Sequence, residues 1–107
     1  MNIANMMKEA QRMQERMAEA QTELASRTIE ATAGGGKIKV TATGAGEIVS
    51  IKIDPQVVDP QDVEFLEDLV LTGVRQALDD AKALAGAEMS KLTGGLKLPG
   101  GLKIPGF

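Results

Sequence analysis

Lys8, Arg12 and Arg16 recur every fourth residue near the start of the chain, a spacing that lines side chains along one edge of a helix. Ammonium and guanidinium groups in such a row suit phosphate recognition, as point charges and forked donors facing anionic oxygens. Glu15, Glu19 and Glu23 repeat the spacing further along. Both sets oppose the helix dipole: a cation near the N-terminus or an anion near the C-terminus costs roughly 0.3–1 kcal/mol. Like charges four apart add a similar cost. Helix stability alone therefore does not choose this order. An anionic partner at the front of the helix would relieve it; a salt-bridged face of Glu9–Arg12, Arg12–Glu15 and Arg16–Glu19 is the alternative.

Most other chemistry is excluded by composition. The 107 residues include no Cys and no His, which removes thiolate nucleophiles, Ser-His-Asp and Cys-His arrangements, disulfides and the usual zinc ligands. Gly34-Gly35-Gly36-Lys37 lacks the strand–loop–helix setting and Lys-Ser/Thr ending of a nucleotide loop, so a hairpin turn is expected there. The carboxylate pairs Asp54 with Asp59 and Asp79 with Asp80 have no Tyr, His or Cys beside them and read as a solvated face. No enzyme activity, metal or cofactor is expected. The net charge of −3 speaks against indiscriminate binding to polyanions. Acid is concentrated in residues 54–90, with nine carboxylates against Arg75 and Lys82, whereas residues 91–107 carry Lys91, Lys97 and Lys103 and no acid.

The elements that must position these groups are legible from periodicity. From Ile3 to Leu24 the apolar residues Ile3, Met6, Ala10, Met13, Met17, Ala20 and Leu24 fall at alternating steps of three and four, with no Gly or Pro between, which predicts a helix. The stripe serves equally as a Met-rich coiled-coil seam or as a core-facing side. Residues 28–33, 37–43 and 47–53 alternate with period two: Ile38, Val40 and Ala42 share one face, and Val49, Ile51 and Ile53 share another against Ile48, Ser50 and Lys52. Glycines at 34–36, 44 and 46 supply two reversals, so a three-stranded antiparallel meander follows. Asp59-Pro60 reads as a helix cap and first residue. Beyond it Val63, Leu66, Leu69, Val70, Val74, Ala77, Leu78, Ala81, Leu84 and Ala85 form the buried side of a long helix, in which Gly73 and Gly86 each cost about 1 kcal/mol unless close packing needs them.

One α+β domain over residues 1–93 is thus expected, followed by a tail at 94–107. The tail repeats a Gly-Gly-Leu-Lys-aliphatic-Pro unit, Gly94 to Pro99 and Gly100 to Pro105, which excludes regular helix. It reads either as a flexible end or as a segment whose Leu96, Leu98, Leu102, Ile104 and Phe107 dock on a partner or sister subunit. Leu, Ile, Val and Phe supply 26 of the 107 residues, enough to fold a thin core in a chain of marginal size. Open sheet edges and that thin core favour a homodimer, with Val40, Ile51 and Leu66 contributing to its shared core.

The residues also carry a resemblance. The run Met6-Met7-Lys8-Glu9-Ala10-Gln11-Arg12-Met13-Gln14-Glu15-Arg16-Met17, the strand Lys39-Val40-Thr41 followed by Gly44, the strand end Ile51-Lys52-Ile53-Asp54-Pro55, Glu67-Asp68-Leu69-Val70 and Leu98-Pro99-Gly100 closely resemble the YbaB/EbfC family of bacterial nucleoid-associated proteins. The five segments occur in order over nearly the whole chain. The resemblance implies helix, three strands and helix, assembled as a tweezer-like homodimer with projecting helical arms. It implies duplex DNA binding through basic residues of those helices, limited sequence preference, and an influence on nucleoid organisation and gene expression. Carried over by position, the DNA-binding candidates are Lys8, Arg12 and Arg16 on the first helix and Arg75, Lys82 and Lys91 on the last, whose acidic setting departs from the basic helix the family leads one to expect.

The rival expectation is a protein-interaction adaptor that uses the Met-rich helix and apolar tail, its DNA association indirect. No run approaches the roughly 18 apolar residues of a membrane span, and charges interrupt the N-terminal segment, so a soluble, cytoplasmic protein is expected; the resemblance implies a location at the nucleoid. No aromatic stands on the strands or first helix, which disfavours base stacking on single strands.

Overall fold

A computed structural model describes residues 2–93; the tail repeats at 94–107 lie outside the described residues. Helix α1 spans Ile3–Ser26. Its entry is capped by Asn2, whose Oδ1 accepts the Ala4 N–H at 3.1 Å. It closes where the Arg27 N–H donates to the Glu23 and Leu24 carbonyls and the backbone turns extended. Strands β1 (Thr28–Ala33), β2 (Ile38–Thr43) and β3 (Ile48–Ile53) follow, then a short 3-10 turn at Pro55–Val57 and helix α2, Val63–Thr93.

The strands form an antiparallel meander in the order β1-β2-β3, joined first through Gly34, Gly35 and Gly36, all at positive φ. Ala31, Val40 and Ile51 stand in one cross-strand row, and Ala33, Ile38 and Ile53 in the next. Cross-strand partners share a face, so these residues define the side on which α2 packs. A register shift between Thr41 and Ala42 brings Ile48 opposite Ala42. Ile48 therefore joins Ile51 and Ile53 on the helix side, where simple alternation had put it on the other.

Helix α2 begins three residues later than Asp59-Pro60 suggested. Asp59 instead closes a turn, its Oδ1 accepting the Gln61 N–H at 2.9 Å and its carbonyl the Asp62 N–H at 2.9 Å. Asp62 then takes the capping role, with Oδ1 accepting the Phe65 N–H at 3.2 Å. Along its length α2 covers β1 and β2 and barely reaches β3. The core is correspondingly thin: among the described residues the large side chains fully buried are Ile38 and Val40, amid Ala31, Ala33, Ala42 and Ala77. Val63 and Leu78, expected on the buried side of α2, are exposed.

Only the C-terminal end of the α1 stripe is packed. Leu24 is buried beside Gly44, where an added Cβ would stand 2.8 Å from the Leu24 carbonyl oxygen. Ile3, Met6 and Met17 are 72%, 52% and 42% exposed. The front of α1 thus projects from the body, and the molecule measures 71 × 29 × 16 Å with a radius of gyration of 19.6 Å, against about 13 Å for a compact chain of this length.

Candidate nucleic-acid interface

Helix α1 carries Lys8 and Arg12 on its projecting front and Arg16 where it nears the end of α2, all exposed. At 3.6 residues per turn they form a slowly drifting row about 12 Å long. The same geometry sets the row roughly 130° around the helix from the Met stripe. Basic and apolar surfaces of the arm are therefore separate.

The salt-bridged alternative does not form. The ion pairs among the described residues are Arg27–Glu88 at 2.8 Å, Lys37–Asp54 at 3.3 Å and Lys91–Glu88 at 3.3 Å. Glu9–Arg12, Arg12–Glu15 and Arg16–Glu19 are not among them. All three cations are exposed and none makes an ion pair among the described residues, although Arg16 shares a cleft with Glu19, Glu23, Glu88 and Lys91. The helix has no acid in its first turn and no base in its last.

The candidates on α2 are not brought together. Arg75 and Lys82 are exposed and two turns apart, on one side of the helix. Lys91 lies nine residues beyond Lys82, half a turn around, and is engaged by Glu88 together with Arg27 of the α1 end. Hydrogen bonds from Arg27 and then Lys91 hold the Glu88 carboxyl below its ordinary value. Lys91 therefore belongs to a clasp between the two helices more than to an open basic row.

The proposed interface residues separate as well. Val40 is fully buried in the chain's own core, so it presents no surface to a second copy. Ile51 is 41% exposed on the uncovered helix-side face of β3, and Leu66 is half-buried beside Val70 and Val74.

One juxtaposition was not visible before the strands were paired. Lys39 and Lys52 are direct cross-strand partners on the sheet face away from α2, and both are exposed. Neighbouring Lys37 is committed elsewhere, its ammonium donating to Gln56 Oε1 at 2.6 Å and Asp54 Oδ2 at 3.3 Å. The Asp54 carboxyl is held below its ordinary value by the Gln56 backbone N–H and by Lys37.

Among the described residues no group of acids could hold a metal ion, and no helix is long and apolar enough to cross a membrane. What the fold and its exposed groups define is a small two-helix, three-strand α+β protein with a free basic arm. The chain belongs to the YbaB/EbfC DNA-binding family, whose sequence model matches residues 1–96, a family of DNA-binding proteins and not of enzymes. It is 57% identical over 95 residues to a nucleoid-associated protein of Thermoanaerobacter pseudethanolicus, covering 89% of this chain and 86% of that one. A nucleoid-associated protein of Pelotomaculum thermopropionicum is 52% identical over 96 residues, covering 90% and 91%. The fold is similar to the crystal structure of an uncharacterized protein from Helicobacter pylori, with a TM-score of 0.62 at 17% identity over 73% of this chain and 90% of that one.

Proposed function

We propose that this chain is a nucleoid DNA-binding protein that acts as a homodimer. Each copy lays the Lys8, Arg12 and Arg16 row of its projecting α1 along duplex phosphates, and Arg75 and Lys82 add a lesser contribution. The observation that carries this reading is that, among the described residues, none of those three exposed cations makes an ion pair, in an order that the helix dipole disfavours. Phosphate contacts fix position without reading sequence, which suits an influence on nucleoid organisation and gene expression at many sites.

Dimerisation is supported by the apolar surface that α2 leaves uncovered. Ile48, Ile51 and Ile53 line the helix side of β3, whose outer edge has no strand partner among the described residues, and such an edge favours association with a second copy. Leu66, Val70, Leu71 and Val74 line a shallow apolar groove on α2. Two copies present about six row cations, and a protein neutralising that many phosphates loses at least about 10³-fold in affinity between 50 and 200 mM salt. Titrating the purified protein into duplex DNA at those two salt concentrations tests the reading. The adaptor alternative is favoured by the exposed stripe Ile3, Met6 and Met17 and predicts little binding to bare DNA at either.

A further inference from the structure

We infer that the outer face of the sheet, centred on Lys39 and Lys52, is a second surface for the phosphate backbone of duplex DNA. The inference rests on the DNA-binding reading above and extends it from the arm to the body. Lys39 and Lys52 are paired directly across β2 and β3, where side chains on one face stand about 5 Å apart at Cβ and like charges destabilise the sheet. Neither makes an ion pair among the described residues. Folding stability gains nothing from this arrangement, whereas a polyanion across the two ammonium groups relieves it.

The surroundings fit a backbone more than a small anion. Thr32 is the partner of Lys39 on β1, and Thr41 pairs with Ser50 in the next row. Hydroxyls and lysines are the side chains that contact phosphate and sugar oxygens. Lys39 and Lys52 line a wide, open depression with Gly36, Lys37, Ile53 and Asp54, less enclosed than the pockets that bury a small ligand. Glu30, opposite Thr41 on β1, is its one carboxylate in those rows, and it pairs with neither lysine. Asp54, at the end of β3, is occupied by Lys37 and the Gln56 N–H.

The test compares full-length wild type with Lys39→Gln/Lys52→Gln on a short duplex of arbitrary sequence, over a salt series. Each lysine in contact should take about one from the salt slope when removed, so the double variant should bind more weakly with a slope shallower by about two per engaged copy. Its melting temperature should hold or rise, because a like-charge pair is gone. Lys39→Arg/Lys52→Arg should keep the wild-type slope. Lys37→Gln, which removes an already committed charge, should change the slope less. A folded double variant matching wild type in affinity and slope overturns the inference and leaves the arm as the contact. A wild-type chain that does not bind duplex DNA overturns the DNA-binding reading, and this inference with it.

Discussion

The Cγ2 of Val40 lies 3.0 Å from the point where a Cβ on Gly73 would stand, with Ile38 Cγ2 at 3.4 Å. Helix α2 therefore meets β2 at a contact that only glycine allows without movement. Both neighbours are fully buried, and side chains in a filled core shift only with strain. Gly73→Ala gains about 1 kcal/mol of helix propensity against an overpacking cost of about 1–3 kcal/mol; a net loss of about 1 kcal/mol is expected. Gly86 has nothing within 4 Å of its would-be Cβ, so Gly86→Ala should be stabilising by up to about 1 kcal/mol. Urea unfolding of the two variants side by side checks the opposite signs.

That contact also marks where reading from sequence runs out. Strong alternation and glycine-rich turns made β1, β2 and β3 legible, and the uninterrupted three-and-four spacing did the same for α1. The start of α2 was less determinate, because Asp59 and Asp62 are both competent caps and Pro60 suits a turn as well as a helix start. Pairing register decided more. Ile48 changes face because of an irregularity beside Ala42, which no alternation pattern encodes. Lys39 and Lys52 are thirteen residues apart, and only the β2–β3 register makes them neighbours. The row Lys8, Arg12 and Arg16 was readable because helical spacing is local, whereas the engagement of Lys91 depends on Arg27 and Glu88 meeting across 61 residues.

Charge reversal of the α1 row is expected to separate binding from assembly. Lys8→Glu, Arg12→Glu and Arg16→Glu together should abolish duplex binding at moderate salt while the sedimentation coefficient stays that of wild type. The changes fall on exposed positions of the projecting helix, where substitutions usually alter stability by no more than about 0.5 kcal/mol each. Undiminished affinity in a folded triple variant would move the main contact to the sheet face or to Arg75 and Lys82.

The junction between the helices should weaken in acid. The Glu88 carboxyl is held below its ordinary value of 4.5 by Arg27 and Lys91, so the folded state favours the ionised form. Its contribution is fully present above that ordinary value and fades as pH falls through the lowered one. Melting temperature measured from neutral pH down through this window should fall less steeply for Glu88→Gln than for wild type. The neutral-pH values should be ordered the other way, with the variant lower. Parallel curves would show that the Arg27–Glu88–Lys91 cluster adds nothing to stability.

Dimerisation should respond differently at Ile51 and at Val40, although they are partners in one cross-strand row. Val40 is sealed beneath α2, so Val40→Ala opens a cavity in a core with few other large side chains. Truncations of this kind cost up to about 5 kcal/mol for the largest aliphatic residues and less for valine; the variant should lose stability in monomer and dimer alike. Ile51 is 41% exposed in the single chain, so Ile51→Lys leaves its ammonium in water as a monomer and buries it in a β3-mediated dimer. An unpaired buried charge is strongly unfavourable. Ile51→Lys should therefore sediment as a folded monomer at concentrations where wild type is dimeric, with weaker DNA binding because the two arms no longer act together. A dimer that survives Ile51→Lys would place the subunit contact on another apolar surface, with the exposed α1 stripe of Ile3, Met6 and Met17 the next to be substituted.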